Sequence, residues 1–150
     1  MCLEKPLGFK LLILLLLCSG TIQATERTVI NPRFATDLNA LPFSAAVLVG
    51  DTLYLSGDIG LDENQKVPDT AEAEARLVLD SIQATLRQAD MNMDDLAFVQ
   101  VFCSDVAYYD AFNTVYRQYF EKEFPARAFI GTGKLLFDAR FEVQAIAVRR

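Results

Sequence analysis

Arg127 is the residue best suited to binding a small molecule, because it stands at the start of a short apolar segment. Residues 124–126 (Phe-Pro-Ala) precede it directly, and residues 128–130 (Ala-Phe-Ile) follow it. A guanidinium carries its N–H donors in a rigid planar fork that matches a carboxylate. We therefore consider two roles for Arg127: an anchor for a carboxylate ligand, or a structural ion pair with Glu142 or Asp138.

Three further polar residues occupy positions that suit a binding site. Glu142 lies between apolar neighbours in an alternating segment, where a carboxylate can exchange a proton or orient a water. It can equally face solvent, because Gln144 shares its parity. Asn113 interrupts the apolar side of a predicted helix or faces solvent, and Ser56 ends a predicted strand just before a glycine, where such a pair often serves only as a turn.

The absence of histidine limits the chemistry more than any residue that is present. The chain has no His and three Cys, of which only Cys103 lies beyond the first 24 residues. Without histidine, nucleophiles that depend on a His base are excluded. No His and one Cys are also too few ligands for a typical zinc or copper site. Cys103 sits among apolar residues and is typical of a core position, and no internal disulfide can form in the mature chain.

The N-terminus has the three-part layout of a secretory signal. Lys5 and Lys10 precede a continuous apolar run over residues 11–17, residues 19–21 (Ser-Gly-Thr) break it, and the segment ends in the small residue Ala24. The run is far shorter than the ~20 residues of a membrane span. We predict cleavage after Ala24 and export to the periplasm or the medium, with a retained N-terminal anchor as the alternative.

Residues 25–150 are then expected to form one domain, which is acidic. Loss of one Glu and two Lys with the signal changes the net charge from −6 to −7. Such a charge disfavours binding to phosphate backbones, so no nucleic acid partner is expected. The composition is 52% hydrophobic, which is enough for a core, and a domain of this size gains stability as an oligomer.

The hydrophobic periodicity predicts an α+β fold with the order β-β-β-α-β-α-β-β, in which both helices pack on one face of a mixed sheet. Asp69, with Glu72 three residues later, has the spacing of a helix N-terminal capping box. The other face of the sheet is left for a partner subunit. The expected strands are 27–30, 43–49, 52–56, 96–103, 126–131 and 141–148, and the expected helices begin at Asp69 and span Tyr109 to Glu121.

Taken together, these segments resemble the RidA/YjgF family, whose members hydrolyse reactive imines and enamines. The resemblance extends from Phe43 to Arg150. Its elements are Leu55-Ser-Gly-Asp-Ile59, Phe112-Asn-Thr-Val-Tyr116 with Phe120, Phe124-Pro-Ala-Arg127, and the C-terminal run from Glu142 to Arg150 (EVQAIAVRR).

The resemblance implies a chorismate-mutase-like α+β fold and a homotrimer with sites between subunits. It implies that Arg127 grips a substrate carboxylate and that Glu142 positions the attacking water. The other residues that it places in the substrate pocket are Ser56, Asn113, Phe43 and Phe129. The substrate would be a 2-imino acid or its enamine tautomer, the products a 2-oxo acid and ammonia, and no cofactor or metal would be needed.

Three positions depart from the family pattern. Active members usually carry a tyrosine where Phe43 stands, a small polar or thiol-bearing pair where Ala128 and Phe129 stand, and a glutamine where Asp58 stands. We therefore hold three hypotheses: a deaminase of imino acids, a non-catalytic trimer that binds small carboxylates, and an RNA-cleaving enzyme. The acidic charge and the missing histidine argue against the third.

Overall fold

A computed structural model of the protein describes residues 26–31 and 41–150. The predicted signal segment therefore lies outside the described residues. The predicted element order is confirmed. The strands are β1 (Arg27–Ile30), β2 (Ala46–Val49), β3 (Thr52–Ile59), β4 (Leu96–Cys103), β5 (Ala126–Gly131) and β6 (Phe141–Val148), and the helices are α1 (Ala71–Gln88) and α2 (Tyr109–Tyr116).

The six strands form one mixed sheet in the order β1-β2-β3-β6-β4-β5. Neighbouring strands are antiparallel except β4 and β5, which run parallel because the connection through α2 crosses back over the sheet. Gly50 makes the tight turn between β2 and β3 with a left-handed φ of 58°. β5 is thus an edge strand, with β4 as its one neighbour in this sheet.

The core lies between one face of the sheet and the two helices, as the periodicity predicts. The apolar stripe of α1 packs on alternate residues of the central strands, and α2 packs beside α1. Burying each large aliphatic side chain contributes about 1.5–3 kcal/mol. The fully buried members include Leu53, Val78, Leu79, Ile82, Leu86, Val101, Phe112 and Val143.

The opposite face of the sheet is covered by no element of the described chain. On β6, Phe141, Val143, Ala145 and Ala147 are buried, while the residues between them point the other way. That open face carries partly exposed apolar side chains, including Tyr54, which is 50% exposed, and its strand partner Ile146. Among the described residues, no helix is long and apolar enough to cross a bilayer.

Several element ends differ from the sequence-based expectation. Asp69 as the helix cap is wrong by one residue, because the Thr70 side chain accepts the N–H of Ala73 and α1 begins at Ala71. The carbonyl of Asp69 instead accepts a hydrogen bond from Arg140. The strand expected from Phe43 begins only at Ala46, where pairing with the short β1 starts.

The second helix is also shorter than expected. It ends at Tyr116 and continues as a 3₁₀ turn over Arg117–Tyr119. β3 is longer than expected and contains a bulge, because its register with β6 shifts between Leu55 and Asp58.

Candidate active site

Arg127 lies on the edge strand β5, on the face of the sheet that the helices cover. Its ladder partner on β4 is the buried Val99, and α2 lies beside it. The Nη2 of Arg127 donates a hydrogen bond of 2.7 Å to the side-chain oxygen of Asn113. Asn113 therefore neither interrupts the core nor faces solvent, but orients the guanidinium from the helix.

Aromatic rings surround the Arg127 guanidinium. Its central carbon lies 4.6 Å from the ring centroid of Tyr116 and 5.9–6.0 Å from the rings of Tyr109, Phe112 and Phe129. Cation–π contacts of this kind contribute about 0.5–2 kcal/mol. They hold the cation in a partly dry environment, where its attraction for an anion is stronger than in water.

The structural ion pair considered for Arg127 is not formed. Asp138 pairs with Lys134 at 2.6 Å. In the described part of the chain, the Arg127 side chain makes no ion pair, and its one hydrogen bond is the bond to the neutral amide of Asn113. The other guanidinium N–H groups remain available to a ligand.

A cavity of about 300 Å³ opens beside the guanidinium. Its lining includes two arginines and no acidic side chain, although the protein as a whole has a net charge of −6. This arrangement favours an anionic ligand. The lining residues are Asn113, Tyr116, Arg117, Phe124, Pro125 and Arg127.

Tyr116 is a site residue that the sequence reasoning missed. It is 4% exposed, and its hydroxyl has no hydrogen-bond partner among the described residues. Burial raises the pKa of Tyr116 to about 12, although the charge of Arg127 acts in the opposite direction. The signal available in the sequence was its spacing of three residues from Asn113 on one helix, which places both on the same side.

Glu142 lies on the open face of the sheet, between β3 and β4. Its ladder partners are Ile59 and Phe102. The bulge in β3 brings Gly57 directly against it, so that a methyl group on Gly57 would collide with Oε1 of Glu142. The absence of a side chain at Gly57 therefore makes the space that the carboxylate occupies.

Ser56 and Phe43 belong to the same region as Glu142. The Ser56 hydroxyl donates a hydrogen bond of 2.7 Å to the carbonyl of Ser44, which ties β3 to the segment before β2. Phe43 directly precedes Ser44 in that segment and is 54% exposed.

The predicted site residues therefore form two groups on opposite faces of the sheet. Arg127, Asn113 and Phe129 lie together on the helix side, whereas Glu142 and Ser56 lie on the open side. From the strand spacing and register, the Cα atoms of Arg127 and Glu142 are roughly 14 Å apart. One chain does not bring the two groups into a single pocket.

A second arginine–glutamate pair, also missed from the sequence, fixes the start of β6. Glu74 of α1 is fully buried and accepts hydrogen bonds from the backbone N–H groups of Arg140 (2.6 Å) and Phe141 (2.9 Å). It also pairs with the Arg140 guanidinium at 2.9 Å, and this hydrogen bond raises the pKa of Arg140. The pair sets the position of the strand directly before Glu142.

Cys103 is fully buried, and burial raises the pKa of its thiol. Its Sγ–H donates to the carbonyl of Asp105 at 2.9 Å. The expectation of a core cysteine is confirmed. Within residues 26–31 and 41–150, no three Cys, Asp or Glu side chains are grouped to hold a metal ion.

The chain is similar in sequence to known proteins. The family model described as Endoribonuclease L-PSP matches residues 35–149. A 2-iminobutanoate/2-iminopropanoate deaminase of Capra hircus is 38% identical over 110 residues, which cover 72% of this chain and 80% of the goat protein. A RutC family protein of Sulfurisphaera tokodaii is 36% identical over 107 residues, or 70% of this chain and 86% of that protein.

Solved structures show the same fold. The crystal structure of the YjgF gene product of E. coli superposes with a TM-score of 0.71 at 30% identity, and covers 74% of this chain and 91% of that one. YyfA of Yersinia pestis, a member of the conserved Rid protein family, gives a TM-score of 0.74 at 29% identity over 82% of this chain and 99% of that one.

Proposed function

The chain belongs to the RidA/YjgF family, and from that premise we propose that it hydrolyses reactive 2-imino acids or their enamine tautomers to 2-oxo acids and ammonia. Relatives at about 35% identity carry the name 2-iminobutanoate/2-iminopropanoate deaminase, which supports an enzyme of this kind.

The observation that carries the proposal is the state of Arg127. Its guanidinium is oriented by Asn113 and by aromatic rings, is not neutralised by a carboxylate of the described chain, and borders a cavity. An arginine held in this way has a strong, directional preference for a carboxylate that arrives with a ligand. Every 2-imino acid carries such a carboxylate beside its reactive carbon.

The reaction needs little from the protein beyond positioning. Water adds to the electrophilic carbon of the C=N bond, and Glu142 takes a proton from that water as the C–O bond forms. That proton passes to the imine nitrogen, which gives a carbinolamine. Glu142 then takes the remaining hydroxyl proton and delivers it to the same nitrogen, so that the C–N bond breaks, the C=O bond forms and ammonia leaves. Holding the carboxylate and the water in line supplies most of the rate enhancement, so the absence of histidine is no obstacle.

We place the complete site between two copies of the chain in a homotrimer. The separation of Arg127 from Glu142 supports this arrangement, because residues on opposite faces can share one pocket only when a second copy supplies one of them. The apolar side chains of the open sheet face, among them Tyr54 and Ile146, offer a surface for that contact.

A direct test is the hydrolysis of freshly generated imine by wild-type protein, Arg127→Ala and Arg87→Ala. Arg87 is an exposed arginine of α1 whose side chain bonds, among the described residues, to Gln83 alone, and it serves as the matched control. Wild type and Arg87→Ala should accelerate loss of the imine, and Arg127→Ala should not. No acceleration over buffer with any imine would refute the deaminase reaction.

A non-catalytic carboxylate-binding trimer is the second candidate, and the composition around Arg127 favours it. Phe129 fills the space beside the guanidinium with an aromatic ring, 4.9 Å from Tyr109 between centroids, and Ala128 offers no polar group. This hypothesis expects calorimetric binding of small carboxylates that is lost in Arg127→Ala, without turnover. Sedimentation at assay concentration tests the trimer itself in both cases.

Export also stands as a proposal, based on the N-terminal pattern of residues 1–24. Mass measurement of the protein recovered from the periplasm or the medium should give a chain that begins at Thr25. A full-length mass in the membrane fraction would favour a retained anchor.

A further inference from the structure

We propose that the cavity beside Arg127 selects 2-imino acids with a large apolar side chain over the smallest members of the class, and that Phe124 is the residue that determines this preference. The inference rests on the proposed function for its substrate class. It concerns the part of the cavity that the carboxylate anchor does not use.

The first argument is the division of the cavity into a polar end and an apolar wall. Arg127 and Asn113 form the polar end, where a carboxylate is held. Tyr116, Phe124 and Pro125 form the wall next to it. A ligand that places its carboxylate at the polar end therefore brings the group attached to its reactive carbon against aromatic and proline carbon atoms.

The second argument is size. The cavity of about 300 Å³ has room for on the order of ten waters at ~30 Å³ each. A three-carbon imino acid is about the size of three or four waters. Such a ligand, with the attacking water and the Glu142 side chain of the second copy, would leave part of the cavity wet, whereas a benzyl or isobutyl side chain would displace that water and cover apolar surface.

The third argument is the preorganised state of the wall. The Phe124 ring is 52% exposed but is held by an edge contact with Phe120 at 5.5 Å and a stacked contact with Tyr116 at 6.3 Å between centroids. Pro125 fixes the backbone that carries it. An exposed ring with a fixed orientation gains from being covered and loses little freedom when it is.

Imino acids with a second acidic group are the competing substrate class. Arg117 lines the same cavity, one helical turn after Asn113, and would attract that group. We favour the apolar class because Arg117 is solvent-exposed, where an added charge contact contributes little, whereas three of the six lining residues form the apolar wall.

The experiment measures kcat/KM for imines generated in situ by amino acid oxidases from phenylalanine, alanine and glutamate, with semicarbazide as the competing trap. Wild-type protein should prefer the phenylalanine-derived imine over the alanine-derived one by about tenfold or more. Phe124→Ala should reduce that ratio about tenfold. Phe137→Ala, which removes another exposed phenylalanine outside this cavity, should leave the ratio unchanged.

Preference for the alanine- or glutamate-derived imine, or an equal loss for all three imines in Phe124→Ala, would overturn the inference. If no imine is hydrolysed faster than in buffer, the proposed function has failed, and calorimetry with stable acids then decides about the subsite. Tighter binding of 3-phenylpropanoate than of propanoate, lost in Phe124→Ala, supports the apolar subsite. Equal binding of the two acids overturns it.

Discussion

Two arginines on neighbouring parts of this molecule have opposite environments. Arg140 is saturated: its guanidinium donates to Glu74 and to the carbonyls of Pro68 and Asp69, each at 2.9 Å. Arg127 donates one hydrogen bond to a neutral amide and otherwise meets aromatic faces and a cavity. Both side chains are partly buried, so exposure alone does not distinguish them.

The glutamates show the same contrast. Glu74 is fully buried and uses both oxygens for bonds to Arg140 and Phe141. Glu142 forms no ion pair with any described residue and stands in the space left by Gly57. Glu74 and Arg140 neutralise each other within the fold, whereas Arg127 and Glu142 form no ion pair with any described residue. This contrast supports a structural role for Glu74 and Arg140 and the proposed binding and catalytic roles of Arg127 and Glu142.

The largest expected effect is the loss of stability when the Glu74–Arg140 pair is broken. Glu74→Ala removes the partner of Arg140 and of two backbone N–H groups, and should lower the free energy of unfolding by about 3–5 kcal/mol. Chemical denaturation measures this. Glu72→Ala, an exposed acidic residue two positions earlier on α1, is the control and should cost at most about 1 kcal/mol. Equal effects of the two substitutions would mean that Glu74 contributes no more than a surface charge.

Arg127→Ala should have the reverse profile. Because Arg127 has no carboxylate partner in the described chain, its loss should lower the free energy of unfolding by no more than about 2 kcal/mol, the range of its cation–π contacts, while kcat/KM falls by about 100-fold or more. Arg127→Lys should recover part of the activity, since it restores the charge without the planar fork. A large stability loss with activity retained would place Arg127 in the same structural class as Arg140.

Gly57→Ala tests whether the Glu142 carboxylate needs the space that the missing side chain of Gly57 leaves. The added methyl group would displace Glu142 and lower kcat by about tenfold, since small errors in the position of a reacting group are costly. In a Glu142→Ala background the same change should add nothing further, because the group that it displaces is gone. Additive losses in this double-mutant cycle would show that Gly57 affects activity independently of Glu142.

The smallest expected effect is at the unpaired hydroxyl of Tyr116. Tyr116→Phe removes a buried donor that has no partner among the described residues, so stability at neutral pH should stay the same or rise by up to about 1 kcal/mol.

The same variant should change the pH dependence. Because the folded-state pKa of Tyr116 is about 12 and the ordinary value is about 10, its contribution is complete below pH 10 and is lost as pH rises towards 12. The variant should lose less stability over that interval than the wild type. Tyr119, whose pKa burial also raises, will retain part of the dependence. Identical pH profiles would show that Tyr116 ionises alike in both states.

Local pattern in the sequence predicts the elements well and their ends less well. The apolar stripe predicted for α1 and the alternation predicted for β6 are both found in the structure. A period of 3.6 residues in a helix, or of 2 in a strand, decides which side chains face the core. The N-terminal cap moved from Asp69 to Thr70, and α2 stopped at Tyr116. Such ends depend on tertiary contacts as well, such as the hydrogen bond that Arg140 donates to the carbonyl of Asp69.

The sequence by itself determined the α+β order, the family, and Arg127 as the candidate anchor for a carboxylate. The tertiary structure decided which partners each charged residue meets. Glu74 and Arg140 are 66 positions apart, and only the packing of α1 against β6 makes them partners. The pairing of β5 and β6 on either side of β4 likewise places Arg127 and Glu142 on opposite faces of the sheet, because the register between strands that are distant in sequence sets which side chains share a face.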